Sequence, residues 1–462
     1  MNGHLYFIGI AGHTMRGLAL AAEGLGYKVS GLDEPAQAPG SDWLDEHKIK
    51  WSRTFNTADL EGVSAVIVTG AHVSDDYPPI VEARRRNIAI KSYAQLFGEL
   101  TAGKHVIDVA GTHGKTTTTA MITWLLDAAG KHPDYLIGIR PFNFDSSVRI
   151  TGADIVVAEG DEYRASSLET KSKIQYHHPD TLVLTSAEHD HPDFFPDLES
   201  VIARFTQVVQ ALPNNGHLII WGENANVALI AKSAPCEVTT YGLTDTDYVA
   251  RDIVFLPTGL EFDVEEHGHF LGRMVVPLYG RHNVLNSLAA TAVALQEGIK
   301  MPDVIAGATS FKGAYRRFNV ITDPDASVTV IDDYAHHPTE VATTIEAAKL
   351  HFAGHRIVAV FRPHTYSRTA ALLPQYKNAF GSADLVYVTD IEGAREAGLE
   401  HTVSGLDITK DLKMPALYAP NRSDLVSRIK VDAKPGDVVV CMTVSGYNNL
   451  AEELANKLQP KH

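Results

Sequence analysis

Gly111-Thr112-His113-Gly114-Lys115-Thr116-Thr117 is the segment of this chain best equipped for chemistry. A glycine turn aims backbone N–H groups at an anion, the lysine adds a mobile positive charge, and the next threonine offers a hydroxyl to a divalent cation. The apolar run His105–Ala110 stands in front, and Met121, Leu125 and Ala128 follow at helical spacing. Strand, loop and helix are the context a nucleotide phosphate loop needs, so Gly111 to Thr117 are candidate phosphate ligands rather than an ordinary surface turn. The usual pattern has a further glycine five residues before Gly114; Val109 stands there, which makes this a shortened variant.

Two more apolar runs end in ligand-type residues. Ile155–Ala158 leads to Glu159, a carboxylate at the sheet edge where open α/β sheets bind ligands, and a candidate for Mg²⁺. Asp161 and Glu162 just beyond read as a solvated loop. Thr181–Thr185 leads to Glu188-His189-Asp190-His191. At the N-terminus, Leu5–Ile10 runs into a glycine turn, a helix Met15–Leu25 and a strand Lys28–Leu32 closing on Asp33, the outline of a nucleotide-binding half-sheet without a clean G-x-G-x-x-G. The pairs His177-His178 and His336-His337 suggest zinc, but no further ligands lie at suitable spacing, and the 22 histidines read as mostly superficial.

The elements that must position these residues alternate between strand and helix throughout, which implies an α/β fold of parallel sheets. Length predicts three domains, placed at 1–103, 104–311 and 312–462. The first is Rossmann-like, the central one resembles a P-loop ATPase sheet, and the third is again Rossmann-like. A formal net charge of −16 argues against a nucleic-acid partner. Two widely spaced cysteines, no basic leader and no membrane-length apolar run predict a cytoplasmic protein with no membrane partner. Oligomeric state is not legible.

In order along the chain, the phosphate loop, Glu159, Glu188–His191, Gly280-Arg281-His282-Asn283-Val284-Leu285-Asn286, Arg316-Arg317-Phe318 and Asp332–Thr339 resemble the motifs of the Mur ligases. The resemblance spans nearly the whole chain and is closest to the branch that takes UDP-N-acetylmuramate. It implies that Lys115 binds the ATP phosphates and Thr116 the first Mg²⁺, with Glu159 bridging to a second ion held by His191. Asn283 and Asn286 would serve the adenine pocket, while Arg317 and Asp333 would reach ATP from the third domain. Gly9, Ala11, Gly12, His13, Thr14, Met15 and Asp33 would receive the UDP moiety, and Tyr334, His336 and Arg368 the acceptor side. The reaction implied is an ATP-dependent amide ligation through an acyl phosphate.

Many family members carry a carbamylated lysine shortly after the His motif; no lysine lies between Lys173 and Lys232 here. The acceptor divides two readings. The stretch from Glu159 to Phe195 resembles the members that attach the tripeptide L-alanyl-γ-D-glutamyl-meso-diaminopimelate, whereas Phe361–Thr369 resembles those that add L-alanine. The latter usually have an arginine where Thr365 stands, and its absence tilts the sequence toward the tripeptide, with L-alanine the alternative. A nucleotide-dependent oxidoreductase would leave the phosphate loop idle. A non-catalytic ATP switch would not need Arg317 and Asp333.

Overall fold

The computed structural model describes residues 2–34, 40–70, 73–393, 396, 402–444, 447 and 449–459. Three sheets follow one another along the chain. The first is parallel throughout, ordered Lys50–Ser52, Lys28–Leu32, His4–Ile8, Ala65–Val68, Ala89–Ser92. His4–Ile8 is buried at all five positions, as expected of a strand covered on both faces. The chain leaves it through Gly9 at φ 77°, a left-handed turn suited to glycine, and enters helix His13–Gly24.

The central sheet has ten strands. Its parallel heart runs Glu237–Gly242, His217–Trp221, Thr181–Leu184, His105–Ala110, Ile155–Gly160, Asp134–Leu136. Its far edge departs from the all-parallel expectation. Tyr248–Leu256, Gly259–Glu266 and His269–Val276 form an antiparallel meander, and Val148–Arg149 pairs antiparallel with Tyr135-Leu136 at the other edge. The third sheet runs Asn319-Val320, Thr329–Asp333, Val438–Met442, Ile357–Phe361, Leu385–Val388, Ala416–Tyr418, parallel except for its first pair.

The cores are distributed unevenly. One apolar cluster runs without a break from Leu5, Phe7, Leu18 and Phe97 of the first sheet layer to Val106, Leu136, Val148, Ile150 and Val156 of the central one. The third domain instead has two clusters of its own, one on each face of its sheet. Among the described residues no helix is long and apolar enough to cross a membrane.

Candidate active site

Register aligns the pieces. Strands His105–Ala110 and Ile155–Gly160 pair so that Val109 faces Glu159 and Ala110 faces Gly160, bringing the acid level with the start of the loop. Helix Lys115–Ala128 opens directly behind Gly114, which sits at φ 82°; a Cβ there would lie 2.6 Å from Asn286 Oδ1. Glycine is therefore needed twice over, for the backbone and for the close approach of Asn286. Asn286 accepts from Thr118 Oγ1 at 3.2 Å and donates to Asn283 Oδ1 at 2.9 Å, so this pair braces the loop from helix Arg281–Gln296.

The Thr116 hydroxyl donates to Glu159 Oε1 at 2.8 Å, and the Gly138 N–H to Glu159 Oε2 at 2.7 Å. Burial raises the Glu159 pKa, and the nearby Asp161 carboxylate adds to it. Lys115 Nζ donates to Gly111 O at 2.6 Å and to Glu162 Oε2 at 3.1 Å, and lies 3.9 Å from Asp161 Oδ1. Burial works against the ammonium, but Glu162, Asp161 and Glu159 outweigh it and push its pKa up to about 12. Asp161 and Glu162 are thus not a solvated loop. Glu162 is 2% exposed, and both acids answer to lysine charge inside the site. Three carboxylates gathered beside a hydroxyl, against two ammonium groups, leave a net negative charge for a hard cation such as Mg²⁺, which Thr116 and Glu159 fit.

The third domain delivers an arginine into this cleft. Arg317 Nη2 lies 3.4 Å from Thr116 Oγ1, and its Nε has no partner among the described residues. Its neighbours Arg316 and Phe318 both adopt positive φ, 55° and 54°, a strained backbone of the kind found at working sites. Asp333 accepts from Phe318 N–H and Ala335 N–H, each at 2.7 Å, and so holds the Arg317 loop in shape. Burial raises the Asp333 carboxyl to a pKa of about 6.

Arg368 Nε donates to Asp190 Oδ1 at 2.7 Å, and Nη2 to His191 Nδ1 at 3.3 Å. Burial keeps the His191 ring neutral, with a pKa lowered to about 4. With Nδ1 accepting, the ring proton sits on Nε2; His191 fits a cation there only after Arg368 releases Nδ1.

These groups line one cavity of about 390 Å³. Lys115, Glu159, His191, Arg317 and Asp333 all face it, with Thr112 to Thr117, Asn283, Asn286, Tyr334, His336 and Arg368. Gly111 is not among the lining residues; its carbonyl accepts from Lys115 Nζ. The N-terminal turn lies apart from this cavity. There the Ala11 N–H donates to Asp33 Oδ2 at 2.8 Å, Gly12 caps the helix, Met15 is buried, and Arg16 donates to His13 Nδ1 at 2.9 Å. Thr14 is half-buried in the helix's first turn. Ser147 of the central domain reaches the His13 carbonyl at 3.3 Å.

The histidines depart most from expectation. His113, His177, His282, His336 and His337 are largely inside. His337 and His113 meet Glu188, with one ligand-type atom of each within 4.8 Å of the others, a cluster that sequence spacing does not reveal. His113 Nδ1 lies 3.2 Å from Glu340 Oε1 and Nε2 lies 3.5 Å from Glu188 Oε2. Although burial opposes the charge, these two carboxylates raise the His113 pKa to about 10.

A central phosphate loop met by an arginine from a following domain marks the class as phosphoryl-transfer enzymes. Family models match nearly end to end: "Mur ligase family, catalytic domain" over 4–105, "Mur ligase middle domain" over 109–294 and "Mur ligase, glutamate ligase domain" over 316–443. The UDP-N-acetylmuramate–L-alanine ligase of Desulfitobacterium hafniense is 34% identical over 457 residues, 98% of this chain and 99% of its own. The UDP-N-acetylmuramate–alanine ligase of Thermotoga maritima superposes with a TM-score of 0.81 at 23% identity over 99% of both chains. A murein peptide ligase from Psychrobacter arcticus gives 0.74 at 26% identity over the whole of both. The chain belongs to the Mur ligase family.

Proposed function

We propose that this protein joins the lactyl carboxylate of UDP-N-acetylmuramate to the amine of L-alanine, consuming ATP in the cytoplasmic stage of peptidoglycan synthesis. The lean toward the tripeptide gives way to its alternative. The observation that carries this reading is the charge of the cavity. Its arginine and lysine side chains, among the described residues, are Lys115, Arg317 and Arg368. Lys115 and Arg317 gather at the phosphate loop, and Arg368, which pairs with Asp190 and His191 in this state, is the one other such cation on the acceptor side. One guanidinium suits the single carboxylate of alanine, whereas the tripeptide brings three. The full-length relative that adds L-alanine supports the same choice.

Our assignment of roles follows the geometry. A carboxylate has no leaving group until it is phosphorylated, and two anions must meet for that to happen. Lys115 and the loop N–H groups hold the ATP phosphates, and Arg317 brings charge to the transferring group. Mg²⁺, when bound, would supply further charge neutralisation there; Thr116 and Glu159 would hold it, and His191, once Arg368 releases its Nδ1, would hold a second ion. Asn283 and Asn286 border the adenine side, and Asp333 keeps the Arg317 loop set. Tyr334, His336 and Arg368 face the acceptor. Gly9, Ala11, Gly12, His13, Thr14, Met15 and Asp33 form the uridine-diphosphate end, where the helix start, Arg16 and the nearby Arg140 supply positive charge. We place the domain boundaries near 104 and 312.

The test is phosphate release from ATP with UDP-N-acetylmuramate, comparing L-alanine and the tripeptide as acceptors. Turnover with alanine is expected. Turnover with the tripeptide alone would reverse the choice, a second reading favoured by the likeness to the Psychrobacter peptide ligase.

A further inference from the structure

Lys173 is the least expected residue near the reaction. It lies in the stretch from Glu159 to Phe195, outside the phosphate loop, yet it is 6% exposed, at the junction of the first and central domains. Its Nζ donates to Asp161 Oδ2 at 2.7 Å and to the Tyr163 hydroxyl at 2.8 Å. It also lies 4.0 Å from the centre of the Tyr163 ring and 5.3 Å from that of Tyr93 in the first domain. Burying an ammonium costs several kcal/mol unless it is fully partnered, so a lysine here needs a reason. Burial would lower its pKa, but Asp161, with Tyr163 and Tyr93, holds it well above the ordinary lysine range.

Its two partners both lead into the cavity. The other oxygen of Asp161 is 3.9 Å from Lys115 Nζ, so one carboxylate lies between two ammonium groups. The Tyr163 ring lies 4.8 Å from the His191 ring. Without Lys173, Asp161 would have only Lys115 to neutralise it and would draw that ammonium away from the phosphates. We infer that Lys173 is a positioning residue: it occupies Asp161 so that Lys115 stays available to ATP, and it fixes Tyr163 against His191. This inference rests on the proposed ATP-dependent ligation but concerns nucleotide binding, which can be read without turnover.

The experiment compares the full-length wild type with K173M, K173R, D161N and K173M/D161N, after confirming by thermal unfolding that each is folded. Affinity for ADP with Mg²⁺ is measured by calorimetry and phosphate release by turnover. K173M should bind ADP about tenfold more weakly and turn over about a hundredfold more slowly, the scale expected when one partner of a buried ion pair is removed. K173R should recover most of both. The discriminating arm is the double variant: removing Asp161 as well frees Lys115, so K173M/D161N should bind ADP better than K173M alone. A purely structural role predicts that the double variant is as weak as K173M or weaker, which overturns the inference, as does a K173M that binds ADP like wild type. If K173M does not fold, D161N against K173R/D161N carries the test. Equal ADP affinity in that pair supports an action through Asp161, and weaker binding in K173R/D161N overturns it. Wild type that binds ADP but releases no phosphate with either acceptor would count against the proposed function and leave the ADP comparison standing.

Discussion

The two outer domains meet the central one through opposite kinds of chemistry. The first shares an apolar core with it, from Phe7 and Leu18 across to Val148 and Val156. The third touches it around the cavity through charged and polar side chains, Arg368 on Asp190 at 2.7 Å, Thr339 on Glu188 at 2.7 Å, His113 facing Glu340 at 3.2 Å and Arg317 near Thr116 at 3.4 Å, and beside them through an aromatic contact, Tyr279 stacked on Phe318 with ring centres 4.8 Å apart. An apolar seam is sealed by area and does not separate without exposing it to water. A polar seam exchanges its partners for water and ligand at little net cost. The first joint is sealed by apolar area, whereas the second can exchange its contacts for water or ligand.

Breaking the polar seam at its most buried pair should have the largest effect. Arg368→Met leaves Asp190 buried without its ion partner, a loss of about 3–5 kcal/mol, and is expected to cut kcat/KM for the acceptor by a hundredfold or more. Steady-state kinetics with varied acceptor would show it. The apolar seam should respond in stability instead. Ile150→Ala removes a 5%-exposed side chain from the shared cluster and should cost about 2–5 kcal/mol in denaturant unfolding, with the KM for ATP little changed. A large rise in that KM would show that the first joint also moves.

The third prediction concerns pH. His113 has a folded pKa near 10 against an ordinary value of 6.5, so its contribution to docking is complete below about pH 6.5 and is lost as pH rises through about 10. Solution scattering should show the third domain docked at neutral pH and released on the alkaline side, and His113→Asn should flatten that dependence. The smallest effect is that of salt. Raising ionic strength should weaken docking only about two- to threefold, because these pairs are mostly buried and poorly screened.

What could be read from the sequence follows the same division. The phosphate loop and Glu159 are local patterns of strand, turn and ligand, so spacing alone predicted their place. Asp161 and Glu162 look like a solvated loop because nothing nearby in sequence shows that Lys115 and Lys173 will enclose them. The His113–Glu188–His337 cluster joins three segments that meet only when domains dock. The meander from Tyr248 to Val276 is different, since Gly259 and Gly268 punctuate its alternating runs and signal hairpins. That signal is present in the sequence, and the all-parallel expectation overrode it.

The continuous core of the first two domains also bears on synthesis. The first domain leaves the ribosome before the chain that completes its packing, because helix His13–Gly24 lies on Val148, close enough that a Cβ at Gly17 would come within 3.0 Å of it. The shared cluster closes only at Ala165, 73 residues after the first sheet's last strand ends at Ser92 (165 − 92). At translation rates of about 5–20 residues per second the nascent first domain waits roughly 4–15 s with its apolar face open. A truncation near residue 103 would make that wait permanent, so the first domain is a poor candidate for isolated expression, whereas the third, with both faces of its sheet covered by its own cores, is a good one.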